Sequence, residues 1–229
     1  MLKQRIRREE QMDDPALEPE VYHKVLSDLR RVNRWTLTAR PTLAFLDRVA
    51  AGGAPIRLLD VGFGEGEMLR QIARWAIRRG IEAELVGVDL NPRSEHVARA
   101  ATPEDLRISY YTGDYRDVPG RFDIVVSSLV AHHMSDAELS DFIGFMEGGA
   151  RRGWLIHDLH RHGCAYLGFP LLARLLGVHR IVREDGQLSI ARSFRPAEWR
   201  SILANAGVPQ GAVRIVRRFP FRLCVERQF

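Results

Sequence analysis

Apolar and polar positions along this chain fall into two rhythms that alternate. Short apolar runs read as buried strands at Ile56 to Val61, Glu84 to Asp89, Phe122 to Ser128 and Trp154 to His157. Ile108 to Tyr115 reads as a further strand that ends in a turn. Between the runs the spacing changes to three and four residues. Leu69, Ile72, Ala73 and Ala76 form a stripe that stops before Gly80, residues 93 to 101 follow Asn91-Pro92, and another helix spans about Asp136 to Met146. Strands alternating with amphipathic helices predict an α/β fold with a doubly wound, mostly parallel sheet. Pro196 then opens a helix to Asn205, and two last strands, about Val213 to Phe219 and Phe221 to Glu226, meet at Pro220 as an antiparallel hairpin.

The flanks follow a different pattern. Residues 1 to about 15 are dominated by charge and interrupted by Asp13-Asp14-Pro15, which predicts a mobile arm. From Pro19, Val21, Val25, Leu29 and Val32 mark an amphipathic helix, and a second helix follows Pro41 and stops at Gly52-Gly53. These suggest an arm and capping helix over residues 1–40 and one domain over residues 41–229. An apolar stretch from Cys164 to Val182 is too short to span a bilayer and is expected to form part of a helical lid at about residues 160–192.

The 229 residues, 45% of them hydrophobic, suffice for one core, and the N-terminal sequence lacks the apolar stretch of a secretory signal. Cys164 and Cys224 have neither metal spacing nor the density of a disulfide scaffold, so a cytoplasmic location is expected. The net charge of +5 changes little. All but two of the 34 basic side chains are arginine, and they are scattered without a basic and aromatic stripe, which disfavours nucleic acid as a partner.

The chemistry concentrates where the first strand ends. Val61 runs into Gly62, Gly64 and Gly66, a strand, tight turn and helix start that let a ligand lie against bare backbone. A dinucleotide fingerprint needs its third glycine at the sixth position, which here is Glu67. Glu65 and Glu67 would repel a diphosphate, whereas a cationic sulfonium suits acidic surroundings. Asp89 closes the second strand, where a carboxylate accepts ribose hydroxyls.

With the glycine turn, the strand ending at Asp89, the strand from Ile108 to Tyr115 that carries Asp114 and the strand ending at Ser128 in that order, the chain resembles the class I S-adenosylmethionine-dependent methyltransferases, in their small-molecule branch, over roughly residues 40 to 229. The resemblance implies a Rossmann-like sheet of seven strands with the antiparallel hairpin, N-terminal helices that close over the ligands, and S-adenosylmethionine as cofactor. It implies cofactor roles for Asp60, Gly62, Gly64 and Gly66 and a ribose contact for Asp89, with Leu90 beside it. It further implies an adenine-amino contact for Asp114, with Tyr115 beside it, and places Ser128 at the fourth motif. Tyr22, Asn33, Arg34 and Trp35 become candidate lid residues.

Methyl transfer needs a base only when the acceptor arrives protonated. His133 is the first choice, followed by His132, His157 and His160, all at strand ends. In an extended strand His160 and His162 would share a face with Asp158, a group able to orient an acceptor or bind a metal. Cation-dependent relatives carry a carboxylate at the end of the fourth strand, where this chain has Ser127 and Ser128, so no residue is assigned to a metal. The expected substrate is a small aromatic or lipophilic metabolite with an oxygen acceptor, and a second copy of the chain is the one protein partner left open. Two rivals stand beside this reading: an RNA or protein methyltransferase, and a non-catalytic S-adenosylmethionine-binding module.

Overall fold

The computed structural model describes residues 2–229. In chain order its elements are α1 (Pro19–Trp35), α2 (Ala39–Val49), β1 (Ile56–Val61), α3 (Glu67–Arg79), β2 (Ala83–Asp89), α4 (Pro92–Ala101) and β3 (Ile108–Thr112). There follow β4 (Phe122–Ser128), α5 (Asp136–Gly149), β5 (Ala150–Leu159), α6 (Gly163–Leu175), α7 (Arg180–Arg192), α8 (Pro196–Asn205), β6 (Val213–Arg218) and β7 (Arg222–Gln228). The seven strands lie in the order β3-β2-β1-β4-β5-β7-β6. The first five are parallel, and β7 inserts antiparallel between β5 and β6. This is the expected Rossmann-like, doubly wound sheet with its C-terminal hairpin.

Strand periodicity divides the core into two layers. Leu58, Ile124 and Leu155 pack with Phe45, Leu46, Leu69 and Ile72 from α2 and α3. Leu59, Val125 and Trp154 face the other way, onto Phe142, Ile143 and Met146 of α5 and Trp199 of α8. Helix starts follow their local signals. Asn91 accepts a bond from the Arg93 N–H with Pro92 at the first helical position, and Ser135 and Glu138 form a reciprocal capping box for α5.

A third cluster lies outside the sheet, where Val25 and Val32 of α1 meet Ala173, Val178, Ile181 and Val182 of the α6–α7 pair. The expected lid is therefore two helices joined at Gly177, and α1 backs onto it. The N-terminal arm differs from the expectation of mobility. Asp185 of α7 accepts the backbone N–H groups of Gln11 at 3.0 Å and Met12 at 2.9 Å. Ile6 N–H donates to the Ala191 carbonyl, Arg5 Nε donates to the Arg192 carbonyl at 2.7 Å, and the Arg5 guanidinium stacks 3.6 Å from the Phe194 ring centroid. Met12 and Leu17 pack onto the third cluster, so the arm is strapped across the lid by partners that lie far away in sequence.

A carboxylate taking two backbone donors is worth about 1.5–3 kcal/mol per bond. We expect Asp185→Ala to free the arm, so that trypsin cuts after Arg7 and Arg8 at least tenfold faster than in the parent. Equal cleavage rates would show that Asp185 does not hold it.

Candidate functional site

The loop from Val61 to Glu67 turns under steric constraint. Gly62 has φ +77°, and a Cβ there would stand 2.3 Å from Val130 Cγ2. Gly66, also left-handed at φ +76°, would meet the Tyr110 hydroxyl at 2.6 Å. The loop is tied to the neighbouring strand by Asp89, whose carboxylate accepts the Gly64 N–H and the Asn91 N–H, each at 2.8 Å. Burial raises the Asp89 pKa above the usual carboxylate range, opposed by those amides. Asp60, one residue before the end of β1, is 1% exposed, and neither of its carboxylate oxygens has a hydrogen-bond partner among the described residues. Burial, then the proximity of Asp89, pushes it up to about 7.

Both carboxylates line a cavity of about 1310 Å³ over the carboxyl ends of β1, β2 and β4. A pocket for one drug-sized ligand spans roughly 300–1,000 Å³, so this one has room for a cofactor and an acceptor together. Gly62, Gly64, Leu90, Gly113, Tyr115 and Ser128 line the sheet side. Leu26, Leu29, Phe169, Leu172 and Phe221, from α1, the lid and the loop before β7, line the opposite side. Among the candidate lid residues, Tyr22, Asn33 and Arg34 reach the cavity, whereas Trp35 is 66% exposed on the outer surface. Gly66 underlies the loop without lining the cavity, and so does Asp114, whose carboxylate accepts the Arg116 N–H at 2.9 Å. Its neighbours Gly113 and Tyr115 supply the wall instead.

The histidines separate into two groups. His132 and His133, in a short 3-10 turn after β4, both line the cavity. Asp158 at the end of β5 accepts the His132 N–H and pairs with His132 Nδ1, each at 2.8 Å. On the other side, His132 Nε2 and His133 Nε2 lie 3.6 and 3.8 Å from Glu10 Oε1 of the arm. Burial alone would push His132 down, but Asp158 and Glu10 override it and lift the group to about 9. Glu10 is likewise held at about 2, because the histidines and the Ser189 hydroxyl outweigh its burial. Burial, then His132, pushes His133 down to about 4.

His157 and His160 lie elsewhere. His157 is fully buried in the sheet, both ring nitrogens lack partners, and burial, then Arg222, pushes it down to about 3. His160 stands outside the cavity lining, with its ring 5.4 Å from that of His162. Asp158 does not join them, since its carboxylate points back to His132. Glu10 had no counterpart in the sequence reading. Its partner Ser189, at 2.7 Å, is 179 residues away.

The chemistry of the corner fits S-adenosylmethionine. Backbone is bare at Gly62 and Gly64, and the unpartnered Asp60 carboxylate suits the cationic end of that cofactor better than a diphosphate. Residues 58–153, from β1 to the start of β5, match the family model described as a methyltransferase domain. This central stretch of the chain is a methyltransferase domain. No curated protein matches it in sequence. Among solved structures, magnesium protoporphyrin IX methyltransferase from Synechocystis PCC 6803, with bound S-adenosylhomocysteine, is 18% identical with a TM-score of 0.57. That match covers 95% of this chain and 90% of the other. The plantazolicin methyltransferase BpumL in complex with S-adenosylhomocysteine is 15% identical with a TM-score of 0.69, covering 93% and 91%. A S-adenosylmethionine-dependent methyltransferase from Aquifex aeolicus is 16% identical with a TM-score of 0.53, covering 75% and 81%. At these identities the likeness is one of fold.

Asp60 gives this protein a pH signature before any ligand binds. Its pKa is raised from 3.8 to about 7. Between those values the folded protein keeps a proton that the unfolded chain has released. Stability therefore falls as pH rises, by at most about 1.4 kcal/mol per unit, and levels off above the folded value. We expect Asp60→Asn, in cofactor-free protein, to gain on the parent in urea denaturation between pH 4 and pH 7, with a constant gap above that. A gap independent of pH would refute the burial of an unpartnered carboxylate.

Proposed function

We propose that this protein is an S-adenosylmethionine-dependent methyltransferase that acts on an oxygen atom of a small aromatic or lipophilic metabolite. The observation that carries the reading is the asymmetry of the cavity. Away from the sheet its wall carries the apolar side chains Leu26, Leu29, Phe169, Leu172 and Phe221, with the cluster Glu10, His132 and His133 set among them and the polar Arg30, Asn33, Thr38 and Arg222 farther along the wall. An apolar body with a single hydroxyl or carboxyl group fits that distribution. The arm and the lid cover the same side, which would keep water from competing with the acceptor. Two of the structural neighbours support a small, ring-bearing acceptor. One is a magnesium protoporphyrin IX methyltransferase, and BpumL is also seen with a triazolic desmethyl plantazolicin analog.

On this reading Gly62 and Gly64 let the cofactor approach the main chain, and Asp89 accepts the ribose hydroxyls beside Leu90. Gly113 and Tyr115 flank the adenine, Ser128 lies under the methionine portion, and Asp60 answers the positive charge. S-adenosylmethionine, when bound, supplies a methyl carbon activated by a sulfonium leaving group. The protein's part is alignment of the acceptor oxygen in line with the carbon–sulfur bond and removal of the oxygen's proton. Glu10, His132 and His133 are the groups against which that oxygen would lie. His157 and His160 have no part in this reading.

Two measurements test it. A panel of phenols, carboxylic acids and amines incubated with the enzyme and labelled cofactor should give O-methyl products by mass spectrometry, with His133→Ala lowering kcat at least a hundredfold at unchanged cofactor affinity. Label found only in RNA or protein from the same preparation would overturn the small-molecule reading. Separately, Asp89→Ala should weaken S-adenosylmethionine binding about 10- to 100-fold by calorimetry, the loss of charge-assisted bonds worth about 1.5–3 kcal/mol. Unchanged affinity would remove Asp89 from the cofactor site.

A further inference from the structure

We propose that Glu10, His132 and His133 hold a divalent transition-metal ion on the acceptor side of the cavity. The three residues converge from the arm and from the turn after β4, and one ligand atom of each lies within 4.8 Å of the others. Glu10 Oε1 stands 3.6 Å from His132 Nε2 and 3.8 Å from His133 Nε2. Those gaps are too long for hydrogen bonds, which end at about 3.2 Å. They are close to the edge of a tetrahedron built on bonds of about 2.1 Å, which is about 3.4 Å.

The surroundings are those of ligating histidines. Each ring turns Nδ1 toward a carboxylate and Nε2 toward Glu10. His132 Nδ1 lies 2.8 Å from Asp158, and His133 Nδ1 lies 3.6 Å from Asp13. For His132 the Asp158 carboxylate is within hydrogen-bond distance of Nδ1, fixes the tautomer and presents the Nε2 lone pair to a metal, whereas Asp13 only faces His133 Nδ1. Two imidazoles and one carboxylate with open positions make a donor set for iron, cobalt or zinc rather than for magnesium or calcium. The same Oε1 of Glu10 accepts from the Ser189 hydroxyl at 2.7 Å and faces Arg192 Nη1 at 3.7 Å, which fixes where the carboxylate stands. The cluster differs from the His157–His162 run in which the sequence placed its only candidate ligands.

The open positions face the acceptor, and this step alone rests on the oxygen-methylation reading. The acceptor hydroxyl releases its proton to bulk water as it enters the cavity, and its oxygen binds the ion as the anion. A lone pair on that oxygen then forms the bond to the methyl carbon. The carbon–sulfur bond breaks with its electron pair going to sulfur, which becomes a neutral thioether. The ion ends as it began.

The test uses the full-length protein after chelation and gel filtration. Titrated with Co2+, it should take up one equivalent with visible d–d absorption, and Zn2+ should bind with micromolar or lower Kd by calorimetry. Glu10→Gln and His133→Ala should each weaken Zn2+ binding at least a hundredfold, and Asp158→Asn about 10- to 100-fold, while S-adenosylmethionine binding reports that each variant is folded. The proposal is overturned by stripped protein that binds S-adenosylmethionine but no Co2+ or Zn2+, or by variants that bind metal as the parent does. Methylation of a small acceptor at full rate in excess chelator would overturn the catalytic step while leaving the oxygen-methylation reading in place. Binding of one metal ion without any small acceptor being methylated would support the site and leave that reading as the one that failed.

Discussion

A carboxylate withdrawn from water must find donors or a cation, and three of them stand at the carboxyl edge of this sheet. Asp158 is satisfied by the His132 ring, the His132 N–H and the Leu159 N–H. Asp89 is satisfied by two amides, one of which belongs to the glycine loop. Asp60 has no partner among the described residues. Each solution fixes a different part of the molecule. Asp158 locks the turn after β4 to β5 and, through His132, sets the ring that the arm residue Glu10 approaches. Asp89 pins the loop to β2. The charge left over at Asp60 is what a cationic ligand would complete, so the cofactor side of the cavity is defined by a deficit as much as by a shape.

The sheet was legible because its signals are local. The apolar run Ile56–Val61 ends at glycine, and β1 has those same bounds. Asn91-Pro92 and Pro196 start helices where they stand. Strand ends were less readable. β5 extends four residues ahead of Trp154, through Ala150, Arg151, Arg152 and Gly153, none of which looks like a buried strand. These residues are extended because β4 and β7 pair alongside them, with Gly153 opposite both Ile124 and Gln228. That cause is non-local, and no periodicity announces it. β3 stops at Thr112, since Gly113 turns the chain to close a bond with the Asp89 carbonyl.

The site was legible to the same depth and no further. The glycines, Asp60 and Asp89 are brought together as their order along the chain implies, because consecutive parallel strands deliver their ends to one edge. The histidines were harder. Strand parity says which face a side chain takes but not how much protein lies beyond it, so His157 and His133 look alike in sequence and differ entirely in burial. Glu10 was invisible as a site residue. It sits in a charged run that reads as solvated, and the only hints of packing nearby are the isolated apolar residues Ile6, Met12 and Leu17. Met12 and Leu17 pack onto a cluster shared by α1, α6 and α7, and Ile6 N–H bonds the Ala191 carbonyl of α7, partners that only the folded chain brings together.

The two sides of the cavity therefore have different origins. The sheet side, proposed for the cofactor, is made of strand ends within residues 58–153, the stretch that matches the methyltransferase-domain model. The opposite side, proposed for the acceptor, draws Glu10 from the arm, Leu26 and Leu29 from α1, Phe169 and Leu172 from α6 and Phe221 from the loop before β7, all outside that stretch. His132 and His133 are the polar groups that belong to both, since they follow β4 yet face the arm. A fold shared at 15–18% identity can hold the first side constant while the second varies freely. On the proposed function the acceptor would be selected by segments added to the sheet, which meet the turn after β4 where Glu10 approaches the two histidines.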